Sequence, residues 1–356
     1  MSMSFRPISI DIVIPSYNSE STIQCCLDAL SLSLDRCRET GRLDAINIFI
    51  VDDGSTDHSS TIIREFISKS AYTITLINQR QQGPSGARNT GTQQGHAQWI
   101  LYIDSDVEVE PNSITILLEH LSANPTLLAL NGYPNSWVPN GSWITQYTNF
   151  SLCYQLKQHG TLVNSAFTSL CLMSREAWIS MNGWDTSRKS RYSDDIQSRW
   201  HLPQNSIQQC FDVCFTHHKH VPFMGLLKHR FNLGFHYLTS LPVLKTSSSK
   251  VFRTLHSRYP LNVIAALVSV IAIIASITFY PGHDWQHVTV HSLWIGLVLY
   301  TNVPLVRFTR VPRNTFQNSI YTVSIFGLSY CEGLMMGLGL LFSLHRNILN
   351  RTTDDD

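Results

Sequence analysis

The run Trp99-Ile100-Leu101-Tyr102-Ile103 is unbroken apolar sequence that stops on Asp104-Ser105-Asp106. A short apolar run bounded by turn residues reads as a buried strand. Alternate residues of an extended strand share a face, so the two carboxylates are expected to meet one point just past the strand end. Paired carboxylates there suit Mg or Mn together with a phosphorylated ligand, because both cations take oxygen donors and are commonly held by one or two carboxylates plus phosphate. Asp is equally at home as a plain turn residue, so the pair alone does not decide the matter.

The preceding hundred residues repeat one pattern. Ile8 to Ile14 reads as a strand, broken by Asp11 and ending at Pro15-Ser16-Tyr17-Asn18, and Ser21 to Leu34 carries Ile23, Leu27, Leu30 and Leu34 at helical spacing. Ile46 to Val51 is a second strand, followed by Asp52-Asp53-Gly54-Ser55-Thr56-Asp57, where Gly54 permits a tight turn and Asp57 can cap the next helix. Thr73 to Ile77 is a third strand, and Gly83 to Gly95 a loop and helix leading to the run at Trp99. Strands alternating with helices imply an α/β fold with a mostly parallel sheet covered on both faces. Ligands of such sheets bind beyond the carboxyl ends of the strands, the edge where Tyr17, Asp53, Arg88, Asp104 and Asp106 gather.

Composition bears on the remainder. The 356 residues carry a formal net charge of +1, which offers no general argument for nucleic acid as a partner. No acidic residue lies between Asp212 and Asp284, whereas Lys219, Lys228, Arg230, Lys245, Lys250, Arg253 and Arg258 all do. Three apolar runs follow, at residues 261–280, 288–306 and 320–344. About twenty such residues suffice to cross a bilayer. The expectation is a catalytic domain over residues 1–220, a basic amphipathic interface segment over 221–260, and C-terminal transmembrane helices over 261–356. The positive-inside rule puts the basic flanks in the cytoplasm, giving a multi-pass membrane protein with a cytoplasmic catalytic domain. Residues 1–7 lack an apolar signal segment, which points the same way. Whether the third run spans stays open. The eight cysteines are too scattered for a disulfide framework, and Cys210 and Cys214 near His217 and His218 lack a matching half for zinc.

Four stretches, Ile12-Val13-Ile14-Pro15-Ser16-Tyr17-Asn18, Ile50-Val51-Asp52-Asp53-Gly54-Ser55-Thr56-Asp57, Gly83-Pro84-Ser85-Gly86-Ala87-Arg88-Asn89 and Asp104-Ser105-Asp106, resemble in order the signatures of family 2 glycosyltransferases with the GT-A fold. The resemblance covers roughly residues 8 to 235. It implies that Pro15, Tyr17, Asn18, Asp52, Asp53, Gly83, Arg88, Asp104 and Ser105 bind a nucleotide-sugar. Within that set Tyr17 would pack on the base, Asp53 and possibly Asp52 would accept its imide hydrogen bond, Arg88 would face phosphate, and Asp104 would contact the ribose side. Asp106, with Asp104, would hold Mg or Mn. Asn182-Gly183-Trp184-Asp185 and Ser193-Asp194-Asp195 resemble the family's acceptor loop and catalytic acids, with Asn182 and Asp194 standing where the family has Gly and Glu. Gly183, Trp184 and Asp185 would then lie on the acceptor side, and Asp195, beside Asp194, would be the general base. Phe211 to His218 resembles a strand ending in a metal-binding His. Strand alternation lets only one of His217 and His218 face the site, with His217 preferred.

The activity so implied is inverting transfer of a sugar from a nucleotide-sugar, with UDP the expected carrier, to a hydroxyl of a lipid or lipid-linked acceptor at the membrane. A polyprenyl-phosphate glycosyltransferase is the alternative, although Asp104-Ser105-Asp106-Val107-Glu108 departs from the Asp-Ala-Asp-Leu-Gln of those relatives. A non-catalytic nucleotide-sugar-binding membrane subunit is the alternative of another class. The Gln-x-x-Arg-Trp motif of processive synthases is absent.

Overall fold

The computed structural model describes residues 7–186, 197–199 and 201–239, with Cys331, Met335 and Leu338. Asp194, Asp195, the first two apolar runs and nearly all of the third lie outside the described residues. Among those described, no helix is long and apolar enough to cross a membrane.

The expected alternation is present. Strand β1 (Ile8–Ser16) leads to helix α1 (Ile23–Glu39), β2 (Leu43–Asp52) to α2 (Ser59–Lys69), β3 (Ile74–Asn78) to α3 (Pro84–Gln94), and then comes β4 (Trp99–Ile103). After β4 follow β5 (Val107–Val109), α4 (Ser113–Ala123), β6 (Ala129–Pro134), α5 (Trp143–His159), β7 (Leu162–Val163), β8 (Leu170–Ser174), α6 (Arg175–Ser180) and β9 (Ile207–His217), with a last described helix, α7 (Phe223–Thr239). The strands form one sheet in the order β3-β2-β1-β4-β8-β6-β9-β5, with β7 paired to β9.

The sheet corrects the expectation of a mostly parallel one. Strands β3, β2, β1 and β4 are parallel, but β8 runs antiparallel to both β4 and β6, and β9 antiparallel to β5 and β7. Only β6 and β9 restore a parallel pair. Direction is set by the path of the connections, which local periodicity does not encode. Asn131 in β6 pairs with Cys171 on one side and Gln209 on the other.

Period-2 alternation divides the strands between two cores. Ile10, Ile12, Ile14, Ile48, Ile50, Leu101 and Ile103 pack on one face with α1 and α4 residues such as Leu27, Leu30 and Leu117. Val13, Phe49, Ile100 and Tyr102 pack on the other with Met181 and Trp184. Helix α3 lies close on the sheet, since a Cβ at Gly91 would stand 2.6 Å from Val13 Cγ1.

Asp11, the interruption in β1, is fully buried. Its carboxylate accepts from Arg175 Nη2 at 2.6 Å, Ala97 N–H at 2.7 Å and Asn47 Nδ2 at 3.0 Å. Arg175 also donates to Ala97 and Thr92 carbonyls. The charge is thus paired and fully hydrogen-bonded, the condition under which a buried ion is tolerated.

The chain divides into two compact units. The first ends at Lys219 and contains the whole sheet; the second holds Ser142–Tyr154 and the described residues from His220 on. In the second, Tyr147 and Leu226 bury one another among Ile144, Tyr154 and Val221. Val221 N–H caps this contact on Thr145 Oγ1 at 3.2 Å, and Phe223 and Met224 at the start of α7 are exposed.

Candidate active site

The turns after β1 and β2 are stitched together by short polar residues. Asp52 Oδ1 accepts from Ser55 N–H at 2.9 Å around Gly54, whose φ of +80° requires glycine-like freedom. Asn18, also left-handed at φ 48°, accepts from Thr56 N–H at 2.8 Å, and its own N–H donates to Ser55 Oγ. Asp57 accepts from Ser59 N–H and Oγ and from Glu20 N–H, bearing out its expected capping role. Tyr17, 43% exposed, projects from this clip, while Pro15 is buried in β1 beside Val51.

Asp53 is buried, and its carboxylate is occupied by its own chain. It accepts from Gln79 Nε2 at 2.6 Å, Gln82 N–H at 2.8 Å and Gly83 N–H at 2.8 Å. These bonds fix the loop that enters α3. A carboxylate offers about four acceptor positions, so one direction remains for a ligand donor.

The two acids after β4 do converge, by a different route from the one expected. Strand β4 ends at Ile103, and Asp104 to Val107 is a turn closed by Val107 N–H on the Asp104 carbonyl at 3.0 Å. The turn, not strand alternation, brings the carboxylates together. Asp104 Oδ1 accepts from Arg88 Nη2 at 2.6 Å and Oδ2 from Ser169 Oγ at 2.9 Å. Arg88 is 4% exposed. Ser105 turns the other way, its Oγ 2.7 Å from Ser19 Oγ.

Asp106 keeps a third of its side chain exposed, with His217 Nε2 3.1 Å from Oδ1. Burial by itself would raise this carboxyl's pKa, but the His217 contact and the Lys219 charge outweigh it and hold the group below the usual carboxylate range. Ligand atoms of Asp104, Asp106 and His217 all lie within 4.8 Å of one another. Carboxylates suit Mg and Mn, and an imidazole suits Mn, so the donor set fits the divalent cation expected from the sequence.

The choice between the adjacent histidines has a geometric answer. His217, on β9, reaches Asp106, while His218 Nε2 lies 2.6 Å from Glu108 Oε2 and its N–H donates to the Asp106 carbonyl at 2.8 Å. Cys210, also on β9, is buried in the core, and no metal-ligating group among the described residues includes it.

Met181 to Asp185 is a clamped loop. Asn89 Oδ1 accepts from Trp184 N–H at 2.8 Å and Trp178 Nε1 at 3.2 Å, and Asn89 Nδ2 donates to the Trp184 carbonyl at 2.7 Å. Gln197 holds the other side, accepting from Asp185 N–H and donating to the Met181 and Gly183 carbonyls. Gly183 sits at φ +74°, with Asn89 Oδ1 only 3.0 Å from where a Cβ would be. Trp184 is 2% exposed and packs edge-on against Tyr102 at 5.5 Å. Its indole packs in the core on the same face as Val13 and Ile100. Asp194 and Asp195 follow this loop outside the described residues.

Sequence reasoning missed Ser169, Gln197 and the Asp11–Arg175 pair, and gave Asn89 no role. A buried-strand pattern interrupted by one acid was the available signal for Asp11; the others are joined to their partners only through the fold.

The chain thus carries a mixed α/β sheet with a carboxylate–imidazole group beyond its strand ends. Residues 11–177 match the Glycosyl transferase family 2 domain. A mannosyltransferase from Pyrobaculum calidifontis, solved in complex with GDP-Man and Mn2+, shares the GT-A fold with a TM-score of 0.57 at 14% identity, covering 96% of this chain and 88% of that one. Glycosyltransferase AglE of Haloferax volcanii is 24% identical over 63% of this chain and 71% of its own length. Glycosyltransferase GlyA of Streptococcus pneumoniae is 32% identical over 35% of this chain. This chain spans 16% of GlyA's length and 33% of that of a Bacillus subtilis relative, EpsH.

Proposed function

We propose that the chain is an inverting glycosyltransferase that moves a sugar from a nucleotide-sugar to a hydroxyl of a lipid or lipid-linked saccharide at the cytoplasmic face of a membrane. The observation that carries the reading is the Asp104–Asp106–His217 group, set where Tyr17 and Asp53 also end. Tyr17 offers an exposed ring for base stacking, and Asp53 retains an acceptor position. Asp106, Asp104 and His217 would hold Mg or Mn, and a cation there supplies charge to the leaving diphosphate.

Arg88, held at the start of α3 by Asp104, would face the diphosphate. The Asn89 clamp sets the start of the acceptor loop, and Asp195 takes the proton from the acceptor hydroxyl as it attacks the anomeric carbon. The basic, acid-free segment at 221–260 and the apolar runs beyond it supply the membrane attachment that motivates a lipid-linked acceptor. UDP is the preferred donor base, and a GDP-linked sugar belongs in the same test because the fold neighbour holds one.

Membranes carrying the protein, incubated with radiolabelled UDP- and GDP-sugars and extracted for lipid, should show one label in the lipid fraction. No label in any fraction would contradict the reading. A label in acid-labile phosphodiester lipid would favour polyprenyl phosphate as acceptor. Asp195→Asn should lower transfer by about 10^2- to 10^4-fold with nucleotide affinity nearly unchanged. Wild-type turnover in that variant would remove Asp195 as the base.

A further inference from the structure

Beside the acid pair is a second set of ligating groups that the transfer reaction does not use. Cys25 in the first turn of α1, Glu108 in β5 and His218 just after β9 place a thiol, a carboxylate and an imidazole within 4.8 Å of one another. His218 Nε2 is 2.6 Å from Glu108 Oε2 and 4.0 Å from Cys25 Sγ. The three come from elements about 80 to 190 residues apart, so no local turn brings them together.

We propose that Cys25, Glu108 and His218 form a second cation site, selective for zinc-class ions and separate from the Asp104–Asp106–His217 group. A thiolate with an imidazole is the donor set that zinc prefers, whereas Mg and Mn prefer the oxygens of the neighbouring group. Donor atoms about a tetrahedral zinc stand roughly 3.3–3.7 Å apart, from bond lengths of about 2.0–2.3 Å. The present spacing brackets that range. Glu108 needs to withdraw by less than about 1 Å, and its side chain is 43% exposed and has room to do so.

The surroundings favour a cation. Cys25 and Glu108 open on a cleft of about 560 Å³ that Asp28 and Glu110 also line, and its lining contains no Lys or Arg. Asp28, three residues after Cys25 on α1, adds negative charge to this cleft while its carboxylate accepts from Gln24 Nε2 at 3.0 and 3.1 Å, and water completes the shell. On binding, the Cys25 thiol proton and any proton on the ligating His218 nitrogen pass to solvent as the metal–sulfur and metal–nitrogen bonds form. The site stands on its own geometry and does not depend on the sugar-transfer reading.

Cobalt is the direct probe, because a cobalt–thiolate bond absorbs in the near ultraviolet. The purified full chain titrated with Co2+ should develop that charge-transfer band, and equimolar Zn2+ should remove it while excess Mg2+ does not. Cys25→Ser should abolish the band, and His218→Gln should weaken Zn2+ binding by about a hundredfold or more. His217→Asn should leave both intact. Circular dichroism of Cys25→Ser establishes that it is folded, and Asp28→Asn offers a milder variant that should weaken binding while retaining the thiol. Absence of the band in the wild type, or an undiminished band in folded Cys25→Ser, would overturn the proposal.

Discussion

The two halves of the sheet contribute to the site in different ways. In the parallel half, β3-β2-β1-β4, the functional residues sit in the turn directly after each strand: Tyr17 and Asn18 after β1, Asp53 after β2, Asp104 and Asp106 after β4. In the half beyond β4, Ser169 and His217 reach the same acids from strands paired at long range; Ser169 is 65 residues from Asp104. The parallel half therefore supplies the carboxylates and Arg88, and the other half adds the hydroxyl and the imidazole that meet them. Asp104 has both oxygens engaged, by Arg88 and Ser169, whereas Asp106 retains exposure and the imidazole. The net result is one acid fixed in orientation by the turn and one more exposed, with ligand atoms of both close enough to share a cation with His217.

This division can be broken where the halves are joined. Asp11 on β1 and Arg175 after β8 form the buried tie, and Asp11→Asn leaves Arg175 without its anion. Losing one partner of such a pair costs about 3–5 kcal/mol, so the denaturant midpoint should fall sharply. An unchanged midpoint would show that the halves hold together without it. Next in size is Asn89→Ala, which removes three hydrogen bonds from the Gly183–Trp184 loop. A local cost of roughly 1–3 kcal/mol is expected, read as a raised acceptor KM with donor affinity unaltered. A matching loss of donor affinity would place the loop on the donor side instead. The smallest effect should come from Ser169→Ala, which frees Asp104 Oδ2 at a cost of about 1 kcal/mol. Nucleotide affinity in Mn2+ should change by no more than about tenfold, and a complete loss would make Asp104 orientation, rather than Asp106, the limiting feature.

Legibility in the sequence followed the same boundary. Strand β4 lies at the residues where its apolar run stands, and β1, β2 and β3 fall within a few residues of their patterns, because each is a local strand–turn–helix unit. Asp104 and Asp106 could be read as a pair from proximity alone. The direction of β8, the partnership of Asp104 with Ser169, and the separate destinations of His217 and His218 were not legible, because they depend on pairing between distant segments. Trp184 shows the related limit for burial. Its motif marks the loop, but whether the indole faces a ligand or Tyr102 is decided by packing.

The central claim is that Asp106, with Asp104 and His217, binds a nucleotide diphosphate through a divalent cation. Calorimetric titration of the full-length protein with UDP and with GDP, each with Mn2+ and with chelator, tests it directly against Asp106→Ala. The account predicts binding of one nucleotide that needs Mn2+ in the wild type and is weakened by about a hundredfold or more in the variant. Equal affinity in the two proteins with Mn2+ present would contradict it.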